Sequence, residues 1–459
     1  MKRRSLNSPS AKDKVSKTEN DKLFGCCCVS RLPDDIVVNI FSRLTLIEAA
    51  RTSVVSRRWR YLWTFTANLD FQAPDTIWKI GEETNYEIEI EKKRCMYINW
   101  VEKVLELHGG KYINEFRIHF DLDDDQKTNI TRWIHTALAK GVKKLEFNFD
   151  LLVGGWKKYE FPVQCYNILK SPHGLFTIRS LRSLSFRHVN INAEILEFFI
   201  YNCHRLELLR VASSYTLLSL KVVSSSIQLK YLDIYSCHSI KEVEISTPTL
   251  LSFKYFGPQI KLHVQNVPLL LDISIGGSHK VVLRNLIDPI ICYLSQLETL
   301  ELHLDLKVVS MLNFLTLIQF PLFELPKLRH LTFDVNANNG DSLLDLTRMI
   351  KACPFLCKFT LKLISEDSKR KLRQFPNCRH ENLKVVEFIG FIGRPIDLEL
   401  AFYLLENSPV LEKMIVNPTH PLLIGSYFEF EDVKEKQDAR KRAKRLQKRV
   451  PQGALLVIL

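Results

Sequence analysis

Asp121, Asp123 and Asp125 alternate like the first three ligands of a calcium-binding loop. Such a loop needs glycine at its sixth position and a bidentate glutamate at its twelfth. Gln126 and Arg132 stand there instead, so the stretch fails as an ion site. Cysteine and histidine meet at Cys203–His204, at Cys237–His238 and at Cys378 with His380, and Cys26, Cys27 and Cys28 are consecutive. None of these has the spacing that gathers four ligands around zinc. Cys203, Cys237 and Cys353 instead recur at comparable places beside short apolar motifs, where a small thiol packs as a hydrophobe. No G-x-x-x-x-G-K, G-x-G-x-x-G, G-x-S-x-G or H-E-x-x-H occurs. The residues therefore predict no catalytic set, no metal and no cofactor.

What remains conspicuous is apolar. In RLPDDIVVNIFSRL, residues 31–44, Ile36, Val37, Ile40, Phe41 and Leu44 share one broad helical face. Pro33 suits the start of that helix, and Asp34 and Asp35 suit the positive end of its dipole. Leu46, Ala49, Ala50, Val54 and Val55 predict a second short helix. Trp59, Leu62 and Trp63 predict a third, with Arg57, Arg58 and Arg60 on its polar side. A module of about 40 residues is too small to bury so much apolar surface by itself. Some of that surface must pack on the rest of the chain, and the remainder is expected to dock a partner.

Beyond a helix expected near residues 89–107, the pattern changes to a repeat. Triplets of the form apolar-x-x-apolar-x-apolar recur as Ile113/Phe116/Ile118, Val142/Leu145/Phe147, Leu181/Leu184/Phe186 and Leu206/Leu209/Val211. They continue through Leu229, Leu250, Leu270, Leu297, Leu328, Leu356 and Leu383 to Leu411/Met414/Val416, twelve in all. From Leu181 onward the steps are 25, 23, 21, 20, 27, 31, 28, 27 and 28 residues. That is the period of a leucine-rich repeat, roughly 20–29 residues, with one step outside it. Units of this size bury their triplets only by stacking, which predicts a curved α/β solenoid of about 12 degenerate units.

Composition bounds the rest. The chain has 459 residues, 46% of them hydrophobic, and no apolar run approaches the roughly 18 needed to span a bilayer. Eleven cysteines, an odd number scattered through apolar patterns, predict free thiols in a reducing compartment. Residues 1–29 read as a disordered leader rather than a secretory signal. The formal net charge is +13, and nine Lys or Arg fall in residues 434–449. This stretch predicts a solvated amphipathic helix, with nuclear import or a nucleic-acid contact as the competing readings. It has no interleaved aromatics for stacking on bases, so nucleic acid is not the favoured partner.

Residues 32–63, LPDDIVVNIFSRLTLIEAARTSVVSRRWRYLW, resemble the F-box of plant F-box proteins. Thr45 replaces the family's usual proline, and residues 25–29 depart from its lead-in. Residues 99–110 and 130–147 resemble segments that join an F-box to plant leucine-rich repeats. Residues 380–416 resemble an FBD domain, and the basic helix with the ALLVIL close resembles its tail. The resemblance implies an F-box over 30–70, a leucine-rich-repeat solenoid over 71–375, and an FBD-like domain over 376–459 with a basic C-terminal helix and terminal strand.

The resemblance also implies a role as a non-catalytic receptor subunit of an SCF ubiquitin ligase, bound through an SKP-type adaptor to a cullin scaffold. Leu32, Pro33, Ile36, Ile40, Phe41 and Leu44 would enter the adaptor's groove, with Trp59 and Leu62 bracing the contact. On the concave side of the repeats, Arg210, Asp233, Tyr235, Lys254, Phe256, Glu301, His303, Thr332, Asp334 and Lys362 would meet an unidentified target. Nucleus or cytoplasm is the expected compartment. A chromatin or nucleic-acid scaffold using the basic helix is the alternative.

Overall fold

The last two anchors of each of the twelve triplets lie on one strand of a single parallel sheet, the first anchor stands just before it, and all thirty-six anchors are at most 4% exposed. The computed structural model describes residues 32–73, 86–149, 159–277, 281, 283–306, 325–337, 342–365, 371–374, 377–424 and 433–459. Among the described residues the sheet has fourteen strands in chain order, from Asn68–Gln72 through the twelve triplet strands to Leu455–Ile458. The last two anchors of each triplet alternate with outward residues, so one face of every strand joins a continuous core.

A repeated backbone contact keeps the strands in step. The residue before most of these strands offers one carbonyl to two successive amides of the next unit. Lys230 accepts from Leu251 and Ser252 at 2.9 and 3.0 Å, and Leu251 accepts from Leu271 and Asp272 at 2.9 and 3.0 Å. The same contact links Glu298, Arg329, Cys357 and Lys384 to their successors.

Repeat length decides what covers the other side of the core. The short steps, 20 to 23 residues, leave room only for an extended return. Their returns form a second parallel sheet of Ser219–Val223, Glu242–Ser246 and Lys261–Gln265. Longer steps return through helices, as in Ala193–Asn202 and Thr347–Lys351. Where the chain leaves a strand, His188, Ser213 and Ser236 take positive φ of 57°, 56° and 52°.

Among its described residues the N-terminal module holds two α-helices, Asp34–Phe41 and Leu46–Arg51. The expected third helix is not one. Amides from Val55, Trp59, Leu62, Thr64 and Thr66 each reach the carbonyl three residues back, giving successive tight turns, with Leu62–Phe65 a 3₁₀ helix. Val54, Val55, Trp59, Tyr61 and Trp63 are poor helix formers in a segment too short to nucleate alone. Thr45, the departure from the usual proline, is the N-cap of the second helix. Its hydroxyl accepts from the Glu48 amide at 3.2 Å, and its own amide donates to the Glu48 carboxylate at 3.0 Å.

The module's own core is Val37, Phe41 and Ala49, with Leu32, Trp59, Leu62 and Trp63 packed around it. Leu46 and Trp63 reach into the core of the sheet. The Ser42 carbonyl accepts from the Asn68 amide side chain at 2.9 Å, joining the first helix to the first strand. Thus the module is braced against the repeats on one side and open on the other.

Candidate functional site

The first helix divides its apolar residues between two faces. Val37 and Phe41 point inward at 1% and 2% exposure, whereas Ile36, Ile40 and Leu44 remain 44%, 44% and 40% exposed. Ile36 and Ile40, one turn apart, make an exposed stripe on the helix, and Leu44 follows in the turn beyond the helix end, its amide donating to the Phe41 carbonyl at 3.0 Å. Phe41 meets the edge of Trp59, with ring centroids 5.4 Å apart at 79°. Arg58 locks the helix start by donating to Asp34 at 2.8 Å and to the Leu32 carbonyl. The stripe therefore stands on a fixed backbone.

The second face is the outer side of the large sheet. Parallel register sets its residues in rows. One row runs Asp70, Arg117, Glu146, Ser185, Arg210, Asp233, Lys254, Ser274, Glu301, Thr332 and Thr360. Charges alternate along it and pair. Arg117 lies 3.2 Å from Asp70 and 3.3 Å from Glu146, and Arg210 lies 2.8 Å from Asp233. The neighbouring row runs Ala212, Tyr235, Phe256, Gly276, His303, Asp334 and Lys362.

These rows bring most of the sequence-predicted face residues together. Tyr235 stacks on Phe256 at 4.8 Å, and His303 meets Phe256 edge-on at 5.2 Å. Gly276 makes that approach possible, since a Cβ there would lie 2.2 Å from the His303 Cβ. His303 Nδ1 is 3.2 Å from Asp334, and Lys362 donates to Glu301 at 2.5 Å. Burial alone would raise the Glu301 carboxyl, but Lys362, with His303 and Lys254 nearby, brings it below its ordinary range. Burial pushes the Tyr235 phenol up, and the Asp334 carboxylate adds to the shift. Lys254 turns instead to Asp272 at 3.5 Å, and Thr332 separates the Glu301 and Thr360 positions in its row.

Comparison with known proteins identifies the two parts of the chain. The At1g61320/AtMIF1 LRR domain model matches residues 104–446, and the F-box domain model matches residues 29–66. The chain belongs to this leucine-rich-repeat family and carries an F-box. It is 26% identical over 455 residues to the F-box/FBD/LRR-repeat protein At3g59240 of Arabidopsis thaliana, covering 85% of this chain and 84% of that one. It is 25% identical over 428 residues to the FBD-associated F-box protein At1g66310 of the same plant, covering 84% and 88%. A shorter stretch of 120 residues is 33% identical to the F-box/LRR-repeat protein At3g59200, covering 26% and 22%. This is a plant F-box/leucine-rich-repeat protein with FBD-associated relatives.

Within the F-box, one predicted docking residue moves inside. Phe41 is core, because the helix turns it toward Trp59 and Val37 rather than outward. Leu32, Trp59 and Leu62 are half-buried around that core, and Pro33 is exposed at the helix start. Four exposed apolar residues were not foreseen as a surface: Val54 at 87%, Val55 at 65%, Tyr61 at 63% and Phe65 at 47%. They lie in the 3₁₀ turns, where no 3.6-residue periodicity marks a face.

The other sequence candidates resolve structurally. Arg94 takes the aspartates of the calcium-like run, lying 2.7 Å from Asp121 and 2.7 Å from Asp123. Cys203, Cys237 and Cys353 are buried free thiols whose burial raises their pKa, Cys237 to about 11 and Cys353 to about 12. Cys26–Cys28 lie outside the described residues. The basic stretch is a helix, Lys434–Ala443, running into 3₁₀ turns, with Ala439, Ala443 and Leu446 buried. Arg442 donates to the Ile392 carbonyl and Arg440 to the Leu459 carbonyl, each at 2.7 Å. Arg449 pairs with Glu406 and lies 4.2 Å over the Phe402 ring. Part of its charge thus ties the last strand to the repeats.

Proposed function

We propose that this protein is the substrate-recognition subunit of an SCF-type cullin–RING ubiquitin ligase. Its F-box binds an SKP-type adaptor, the adaptor joins it to a cullin scaffold, and the outer face of the repeats receives the target protein. The observation that carries this reading is the exposure of Ile36 and Ile40 on a helix whose inner residues already fill the module's own core, with exposed Leu44 just beyond its end. Apolar surface fixed on a rigid helix gains affinity by leaving water without ordering a flexible chain. Val54 and Val55 add further exposed apolar surface within the same module.

The chain recruits rather than catalyses, and ubiquitin transfer belongs to other subunits. We assign the F-box to residues 30–70, the repeats to 71–375 and an FBD-like segment to 376–459, in the nucleus or the cytoplasm. The relatives named for FBD association support the last of these segments.

The test is capture of purified SKP adaptor by the full chain and by an Ile40→Asp/Leu44→Asp double variant. Wild type retains the adaptor, and the folded variant does not. Failure of wild type to bind would remove the ligase reading. A steep loss of DNA binding with added salt would then favour the competing scaffold role for the basic helix.

A further inference from the structure

We propose that the outer face of the repeats carries a zinc site formed by Glu301, His303 and Asp334. These residues come from adjacent strands, Thr299–Asp305 and His330–Ala337, where His303 and Asp334 are direct register partners. One ligand atom of each lies within 4.8 Å of the others. Ligand atoms around tetrahedral zinc are about 3.3 Å apart, from metal–ligand bonds near 2.0–2.1 Å. The His303 Nδ1–Asp334 pair stands at 3.2 Å and the His303 Nε2–Glu301 pair at 3.9 Å. Zinc takes one of the two imidazole nitrogens, and the ligand atoms close from within 4.8 Å of one another to about 3.3 Å. Ser274 Oγ, 3.1 Å from Nε2 and 3.2 Å from Glu301, holds both from the neighbouring strand.

Chemistry selects the ion. One imidazole nitrogen with two carboxylates suits zinc and its first-row neighbours, whereas calcium wants oxygen alone. The three side chains are only 14–28% exposed and stand on hydrogen-bonded strands, so little ordering is needed before the metal enters. Three protein ligands leave a fourth position open to water or to a bound partner.

The cluster already holds a cation. Lys362, the register partner of Asp334 on the next strand, lies 2.5 Å from Glu301. Its ammonium neutralises the carboxylate that zinc would use, so metal entry displaces Lys362. Affinity is thereby set below that of a site without an internal competitor. This site does not depend on adaptor binding.

The experiment is zinc titration of the full-length chain against a chromophoric chelator, with Cys26, Cys27 and Cys28 replaced by serine. Cobalt absorption spectra of the same proteins report ligand type. Wild type binds zinc, His303→Ala and Glu301→Gln each weaken it by about tenfold or more, and Lys362→Met tightens it by about tenfold. Asp334→Asn gives an independent loss where one variant proves unstable. The cobalt spectrum shows visible bands without thiolate charge transfer. The proposal is overturned by absence of zinc binding in both wild type and Lys362→Met, or by affinity unchanged in folded His303→Ala. A persistent thiolate band as the main signal, or indifference to Lys362→Met, overturns it equally.

Discussion

Truncating the exposed apolar residues of the F-box and truncating its core should both weaken adaptor binding, but only the second should unfold the module. In the triple variant Ile36→Ala/Ile40→Ala/Leu44→Ala, the residues lost are about 40% exposed in the free chain. Fully burying such a side chain is worth about 2 kcal/mol, so docking gains roughly 0.8 kcal/mol from each and about 2.5 kcal/mol from the three. That corresponds to a loss of adaptor affinity of about 50- to 100-fold. Stability should change little, because surface already in water is removed. Phe41→Ala removes instead one member of a three-residue core and its edge contact with Trp59, at a cost of about 3–5 kcal/mol. The F-box then opens locally while the repeat sheet persists.

Calorimetric titration with purified adaptor, together with amide hydrogen exchange, separates the cases. The triple variant keeps protection at Val37 and Phe41 and loses affinity. Phe41→Ala loses both. The reasoning is refuted if Phe41→Ala binds like wild type with its F-box protected. It is refuted equally if the triple variant binds within threefold of wild type.

Arg94→Met should lower stability by about 3–5 kcal/mol, read as a fall in denaturation midpoint, because Asp121 and Asp123 would remain buried without their cation. Burial lowers His380 from 6.5 to about 4, so the unfolded chain binds its proton first as pH falls. Its contribution is intact above pH 6.5 and is lost progressively toward pH 4, on the order of 3 kcal/mol. Stability of wild type relative to His380→Gln should therefore decline across that window, and a flat difference would contradict it. Burial raises Asp397 to about 6 despite backbone amides from Gly393, Ile392 and Arg394, giving the opposite slope between about pH 6 and 3.8. The comparison with the His380 variant cancels that contribution. Ser213→Gly and Ser236→Gly should each stabilise by up to about 1 kcal/mol in chemical denaturation, since both serines hold positive φ.

The repeats were legible because their signal is local. Every triplet reads as a strand start whose alternate residues need a core, and the structure buries all of them. The second sheet was not legible as such. Leu220/Val222, Val243/Ile245 and Leu262/Val264 alternate as strands do, yet only the shortness of their repeats shows that no helix fits there. The third F-box helix was overread because two tryptophans four residues apart suggest a face, whereas i→i−3 turns place both on the same small core.

The sequence by itself determined the two periods, 3.6 in the F-box and 2 within each repeat strand, and with them the architecture. Only the tertiary structure decided which apolar residues of the first helix face inward, because a broad face has two edges and packing against Trp59 chooses between them. It also decided which charged residues meet. His303 and Asp334 are 31 residues apart, and Glu301 and Lys362 are 61 apart. Returns of unequal length separate them, and parallel register alone brings their side chains into one cluster.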